Sequence, residues 1–461
     1  MSKHLLPVDA PVTFRDKISQ MLASGSYMYT YVLFSGMALY FFTDVFGLPA
    51  KAVGTMMMVA TIWDGINDPL MGMIIDKTHT KWGRVRPYIL FGSIAVAITT
   101  VMTFTVPSIQ SEGGRLAYAY VSYILMGMSL TVMNMSAPIL ITRITKDPVK
   151  TATMNSWSYT GTTIVSVFAT LTMIKFLGIF AGMEGNMTVA YQRLAMLAGG
   201  MALVAGVAAS LLVRERDFDS IGEGNYKSHT TGEYIRSVLH NKYYLILILG
   251  VVLFMAFYTL ASSTHMYYVS YNLGRPELYS YLAAMDYAGP VVGILTITWL
   301  VQRFDKKKIL ICALLIVCAG AALRLITGDQ NITVMLVLAA VTYIGVGLFS
   351  LNATPMLIDT AQYGQAKTGV DASGLIISSF TLAQKIGAGL ATGVFGLLLD
   401  NSGYDGTVDV QPDAALHLIK TVNIGCFAVA ALVSALIIAF FYKLDNRKMD
   451  EVRAQLSETA E

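Results

Sequence analysis

Apolar stretches long enough to cross a bilayer recur along this chain, and one long polar insert divides them evenly. A membrane-crossing helix needs roughly 20 mostly apolar residues. By that rule, spans fall at about 20–44, 51–75, 87–107, 115–141, 155–180 and 191–213, then at about 243–272, 278–302, 309–327, 332–358, 373–399 and 417–442. The insert, Arg214 to Asn241, holds Arg214-Glu215-Arg216-Asp217 and later Gly222, Gly224 and Lys227. The expected fold is an all-α membrane protein of twelve transmembrane helices. Residues 1–213 form an N-terminal six-helix bundle, 214–241 a linker, 242–442 a C-terminal six-helix bundle and 443–461 a tail. Two such halves joined by a polar linker match the parallel-repeat design of the major facilitator fold.

Charge supports the same reading. Only 13% of the 461 residues are charged and 55% are hydrophobic, against about 25% charged in a soluble domain. The net charge of +3 does not point to nucleic acid. The basic residues lie in short loops, where they act as topology signals. Loops after odd-numbered spans hold little beyond Lys51, Arg115, Arg193, Arg275 and Lys420. Loops after even-numbered spans hold Lys77, Lys81, Arg84 and Arg86; Arg143, Lys146 and Lys150; and Arg303, Lys306, Lys307 and Lys308. That bias puts both termini and the linker in the cytoplasm. Residues Met1 to Gln20 lack a short apolar run before a small-residue cleavage site, so no cleaved signal is expected. Cys312, Cys318 and Cys426 sit in apolar spans with no disulfide or zinc spacing and read as small buried hydrophobes.

The second span carries the chemistry. In Trp63-Asp64-Gly65-Ile66-Asn67-Asp68-Pro69, the acids stand at i and i+4, on one helix face. Two carboxylates so placed repel each other unless a cation lies between them or one is protonated. Ionisable residues inside a membrane mark ion or substrate paths. A hard monovalent cation takes oxygen ligands, which Asp64, Asp68, Asn67 and Thr131 of the fourth span can supply. A plain ion pair between one of the acids and Lys385 is the structural alternative. Basic residues follow the span, and Asp76 with Arg84 is expected to form a gate contact at its edge.

Other polar residues interrupt the spans: Asn134 near Thr131, Asn155 to Thr160, Asp286, Arg324, Asn352, and Thr381, Gln384 and Lys385. Lys385 lies so deep that it must face a wet cavity or a carboxylate. Arg324 and Lys175 read as snorkelling toward an interface. Asp286 reads as a pore-lining acid or one half of a gate ion pair. Tyr267, Tyr268 and Tyr271, near a span end, read as an interfacial aromatic belt. Trp157, beside Asn155 and Ser158, is the better stacking surface for a sugar ring. The candidate substrate set is Tyr27, Tyr31, Asn134, Asn155, Trp157, Tyr159, Thr381, Gln384 and Lys385, whose amides, hydroxyls and aromatic faces suit a sugar.

Several motifs carry a family resemblance from about Lys17 to Tyr442. They are Phe42-Thr43-Asp44-Val45-Phe46-Gly47-Leu48, Asp64 through Gly72, and Lys81-Trp82-Gly83-Arg84-Val85-Arg86-Pro87. Later come Asp359-Thr360-Ala361-Gln362-Tyr363-Gly364, Lys367-Thr368-Gly369 and Gln384-Lys385-Ile386-Gly387. With them the chain resembles the glycoside–pentoside–hexuronide:cation symporters, the melibiose permease-like group of the major facilitator superfamily. The resemblance implies that Asp64 and Asp68 are the cation carboxylates, with Asn67 and Thr131 close by. It also implies that Lys385 lies near both sites, with Thr381 and Gln384 facing the substrate. The chain departs from that group where sugar is held: Met28 replaces the first-span acid, and Asn134 replaces an acid in the fourth span. Ser158 and Tyr159 occupy the stretch where the fifth span has an arginine. Asp371 and Ser373 stand where an arginine and a glutamate are usual.

The function expected is cation-coupled symport of a sugar, glycoside or hexuronide by alternating access, in a bacterial inner membrane. The partners are a small-molecule substrate and the bilayer, with the carrier acting as a monomer. No cofactor is called for beyond the coupling cation, Na⁺ or H⁺. A cation-coupled lysolipid carrier of the same fold and a transport-silent membrane sensor are the other readings. No nucleophile–base set or His-Glu-x-x-His motif marks an enzyme.

Overall fold

A computed structural model of the chain describes residues 6–7, 10–78, 80–216, 231–327, 331–370, 372–408 and 410–458. The chain forms two compact units. Unit one comprises Met1–Gly224, Arg275–Ser280 and Gly396–Pro412; unit two comprises Asn225–Gly274, Tyr281–Phe395 and Asp413–Glu461.

Unit one contains α1 (Phe14–Gly25), α2 (Met28–Tyr40) with a π-helical turn at Phe41–Val45, α3 (Ala50–Lys77), α4 (Arg86–Thr103), α5 (Glu112–Ile144), α6 (Pro148–Glu184) and α7 (Met187–Leu212). Side-chain caps start several of them: the Asp147 carboxylate accepts from the N–H groups of Val149 and Lys150, and Asn186 accepts from Thr188. Gly185 ends α6 in the left-handed region, at φ +63°. With no hydrophobic drive between helices in lipid, close packing falls to small residues. Gly161 of α6 lies so near the Met21 carbonyl of α1 that an added Cβ would stand 2.2 Å from it.

Unit two contains α8 (Thr231–Leu239), α9 (Lys242–Ser263), α10 (His265–Tyr267) with a π-helical turn at Tyr268–Asn272, most of α11 (Tyr279–Arg303), α12 (Lys306–Thr327), α13 (Ile332–Thr368) and most of α14 (Ser373–Asn401). It continues with α15 (Asp413–Lys420), a π-helical turn at Thr421–Cys426, α16 (Phe427–Phe441) and α17 (Asn446–Glu458). Its core gathers Phe254, Leu314, Phe349, Phe427 and Ile438.

Joined across their local breaks, these helices follow the twelve expected spans in order. Among the described residues, nine helices are long and apolar enough to cross a membrane. The first span is not among them because the break at Ser26–Tyr27 leaves α1 and α2 at 12 and 13 residues. The second, α3, carries Asp64 and Asp68.

Three expectations are corrected. Cys312 is exposed and Cys318 and Cys426 are half-buried, because each sits on an outward helix face. Arg324 does not snorkel: it is 3% exposed, with its guanidinium 5.9 Å above the Tyr268 ring. Tyr267 and Tyr268 do not form a belt either. The chain breaks at Thr264 and turns as a π-helix, which folds both phenols inside, Tyr267 edge-on to Phe395.

Candidate functional site

Helix spacing alone brings Asp64 and Asp68 to one face of α3, and α5 then sets Thr131 against both. The Thr131 hydroxyl lies 2.6 Å from Asp64 Oδ1 and 3.0 Å from Asp68 Oδ1. A hydroxyl has one hydrogen, so it donates to one carboxylate at a time. Its contact with the other joins two oxygens with no hydrogen between them, unless a proton or cation supplies the positive charge. Asp68 and Thr131 are buried, at 7% and 3% exposure. Asn67 is buried as well, and its amide makes no side-chain hydrogen bond among the described residues.

One backbone carbonyl of α3 lacks its usual helical donor. Pro69 lies inside α3 and has no N–H to give the carbonyl of Gly65, between the two acids. Asp64 lines a small open cleft with Phe34, Trp63, Tyr123, Gly127 and Met128. Two carboxylates and a hydroxyl meet here, hard oxygens of the kind small cations take.

The structure also joins Tyr27 and Asn134: the phenol donates to Asn134 Oδ1 at 3.2 Å. Pro138 removes the donor for the Asn134 carbonyl in the same way as Pro69 does for Gly65. The other substrate candidates lie on α2, α6 and α14. Tyr31 is 41% exposed on α2. Asn155 and Tyr159 are exposed on α6. Trp157 packs at right angles to Phe14, with ring centroids 5.6 Å apart. Ser158 takes part in a buried helix-to-helix network: Gln20 Nε2 donates to its hydroxyl at 3.0 Å and to the Ala137 carbonyl at 2.9 Å, and Ser24 bonds to it as well. Thr381, Gln384 and Lys385 sit half-buried on α14 of unit two, where the Thr381 hydroxyl bonds back to the Ile377 carbonyl at 3.1 Å.

The gate pairing of Asp76 with Arg84 concerns a side chain, that of Asp76, outside the described residues. At Arg84 itself a different contact appears, one that the sequence reading missed. The buried Glu215 carboxylate caps the start of α4, accepting from the N–H groups of Arg84, Val85 and Arg86 at 2.8, 2.9 and 2.8 Å. Gly83 makes room for it: its φ is +116°, and an added Cβ would meet Glu215 Oε1 at 2.4 Å.

Arg216 next to it is buried in an ion pair with Asp16 at 3.0 Å and also donates to the carbonyls of Pro11 and Arg214. Burial works to raise the Asp16 carboxyl, but Arg216 and the donors of Thr13 outweigh it and hold the group below its ordinary value of 3.8. Unit two has a similar tie: Asp359 accepts from Lys306 Nζ at 2.6 Å and from Arg453 Nη2 of α17 at 3.2 Å. The signal for these ties was present as Glu215-Arg216 at the end of a span and as the Asp359 motif.

Comparison with known proteins agrees with this architecture. The inner membrane symporter YicJ of Escherichia coli (strain K12) is 27% identical over 93% of this chain and 92% of its own length. The isoprimeverose transporter of Lactiplantibacillus pentosus is 28% identical over 94% and 90%. The crystal structure of a D-xylose-proton symporter superposes with a TM-score of 0.64 at 13% identity, over 93% of this chain and 97% of that one, and shares the fold. The family model described as MFS/sugar transport protein matches residues 19–446. An all-helical chain with these spans, this acidic face and that match is a multi-pass membrane transporter rather than an enzyme, and it belongs to the MFS/sugar transport protein family.

Proposed function

We propose that the chain is a cation-coupled symporter for a sugar, glycoside or hexuronide, with Na⁺ or H⁺ held by Asp64, Asp68 and Thr131. The observation that carries this reading is the single Thr131 hydroxyl placed against both carboxylates, 2.6 and 3.0 Å away. A cation between them relieves the repulsion and ties α3 to α5. The Asn67 amide and the Gly65 carbonyl complete the oxygen set. The sugar reading draws on the family and on a relative named for isoprimeverose. It also draws on Tyr27 and Asn134, whose bonded hydroxyl and amide suit sugar hydroxyls. A positive charge such as that of Lys385 would suit an acidic sugar beside a neutral glycoside.

Transport by alternating access follows the general behaviour of this fold. The loop charge bias puts both termini in the cytoplasm, and a relative named as an inner membrane symporter supports a bacterial inner membrane. The test is uptake of a glycoside and hexuronide panel into membrane vesicles under separate Na⁺ and H⁺ gradients. At least one sugar should accumulate with one gradient and not without it. Equal uptake of every panel member with and without both gradients would contradict the reading.

A further inference from the structure

Unit two buries a carboxyl group that the cation site does not use. Asp286 on α11 is 6% exposed. Tyr258 of α9 donates its phenol hydrogen to Oδ1, and Ser262, one turn on, donates to Oδ2 at 2.9 Å. Among the described residues Asp286 forms no ion pair.

The groups around it come from every neighbouring element. Tyr258 stands on α9, and Tyr287 on α11 itself and Tyr343 on α13 are each close enough to act on its phenol. His265 of α10 bonds through Nε2 to the Tyr343 hydroxyl and through Nδ1 to Asn423, at 2.8 Å. Arg324 of α12 places its guanidinium 5.9 Å above the Tyr268 ring, and its Nε and Nη2 have no hydrogen-bond partner among the described residues.

Two hydroxyl donors are little compensation for a full negative charge taken out of water. A buried carboxylate without a counter-cation neutralises by binding a proton.

We propose that Asp286 is a proton-binding site of this carrier, belonging to unit two and distinct from the Asp64–Asp68 pair. In the buried state the carboxyl carries its hydrogen. When water reaches it, the O–H bond breaks and the proton passes to water. The carboxylate left behind keeps Tyr258 and Ser262 as donors, and it takes a proton back from water before it is buried again. The inference goes beyond the symport reading and stands without it, since it needs neither Na⁺ nor a named sugar.

Infrared difference spectroscopy on the purified full-length protein, titrated with acid and base, reads the proton directly. The wild type should show the C=O stretch of a protonated carboxyl at neutral pH, and Asp286→Asn should lose it. In vesicles at a fixed Na⁺ gradient, Asp286→Asn should flatten the pH dependence of uptake. A band unchanged in Asp286→Asn, or absent from the wild type at neutral pH, overturns the proposal. Should Asp286→Asn fail to insert, Tyr258→Phe must move the pH at which the band disappears, and an unmoved band overturns it equally. Asp64→Asn and Asp68→Asn must leave the band in place. Its loss there would assign the proton to the acidic pair instead, so this proposal and the cation reading fail by different results.

Discussion

Replacing Thr131 by valine removes one oxygen from the cation site and almost nothing else. Valine keeps the branched shape of threonine at a position that is 3% exposed. A hydrogen bond lost equally from the empty and the loaded site would not change cation affinity. The difference arises because one oxygen stands 2.6 and 3.0 Å from the two carboxylates. With a cation between them, that oxygen keeps its hydrogen on one acid and turns a lone pair to the ion. The interaction lost is thus one between a neutral oxygen and a charge, about 1.5–3 kcal/mol. At 1.4 kcal/mol per tenfold, the half-saturating concentration of the coupling cation should rise roughly 10- to 150-fold. The assay is initial sugar uptake as a function of cation concentration, with Thr131→Ser as the control that keeps the hydroxyl. A Thr131→Val value within about threefold of wild type, less than about 0.7 kcal/mol, would refute the reasoning.

Glu215→Ala strips the acceptor from three N–H groups at the start of α4, each unmade bond costing about 1–3 kcal/mol where water cannot replace it. The unfolding temperature of the detergent-solubilised protein should fall, and Glu215→Gln, which retains an acceptor oxygen, should lose less. Arg216→Met leaves the buried Asp16 carboxylate with its Thr13 donors but no counter-charge and should cost up to about 3–5 kcal/mol in the same measurement. Because Asp16 is held below 3.8, its contribution is present above that pH and disappears as the pH falls through its lower folded value. A stability–pH curve should show this acid loss in the wild type and not in Asp16→Asn. Gly161→Leu places a Cβ where 2.2 Å separates it from the Met21 carbonyl. It should lower the yield of folded protein, read by size-exclusion chromatography.

The spans were legible because a bilayer fixes their length, and the acidic pair because i, i+4 spacing has one geometric outcome. Thr131 stood out because hard-cation chemistry asks for an oxygen from another helix, and its hydroxyl does lie against both carboxylates. The rest turned on tertiary contacts with no periodic signature. Arg324 and Tyr268 sit near span ends, where lipid-facing and folded-in positions have the same local sequence. Only the break at Thr264 decides between them. The contact of Trp157 with Phe14 likewise has no local signature in the sequence. Glu215 and Arg216 looked like the start of a solvated linker. Their burial depends on Gly83 and Asp16, far away in sequence.

The central claim, that Asp64 and Asp68 couple transport to a cation gradient, is tested most directly by comparing two modes of transport in the same vesicles. Asp64→Asn and Asp68→Asn should abolish gradient-driven sugar accumulation while the protein still inserts in the membrane at the wild-type level. Accumulation at the wild-type level in both variants would contradict the account.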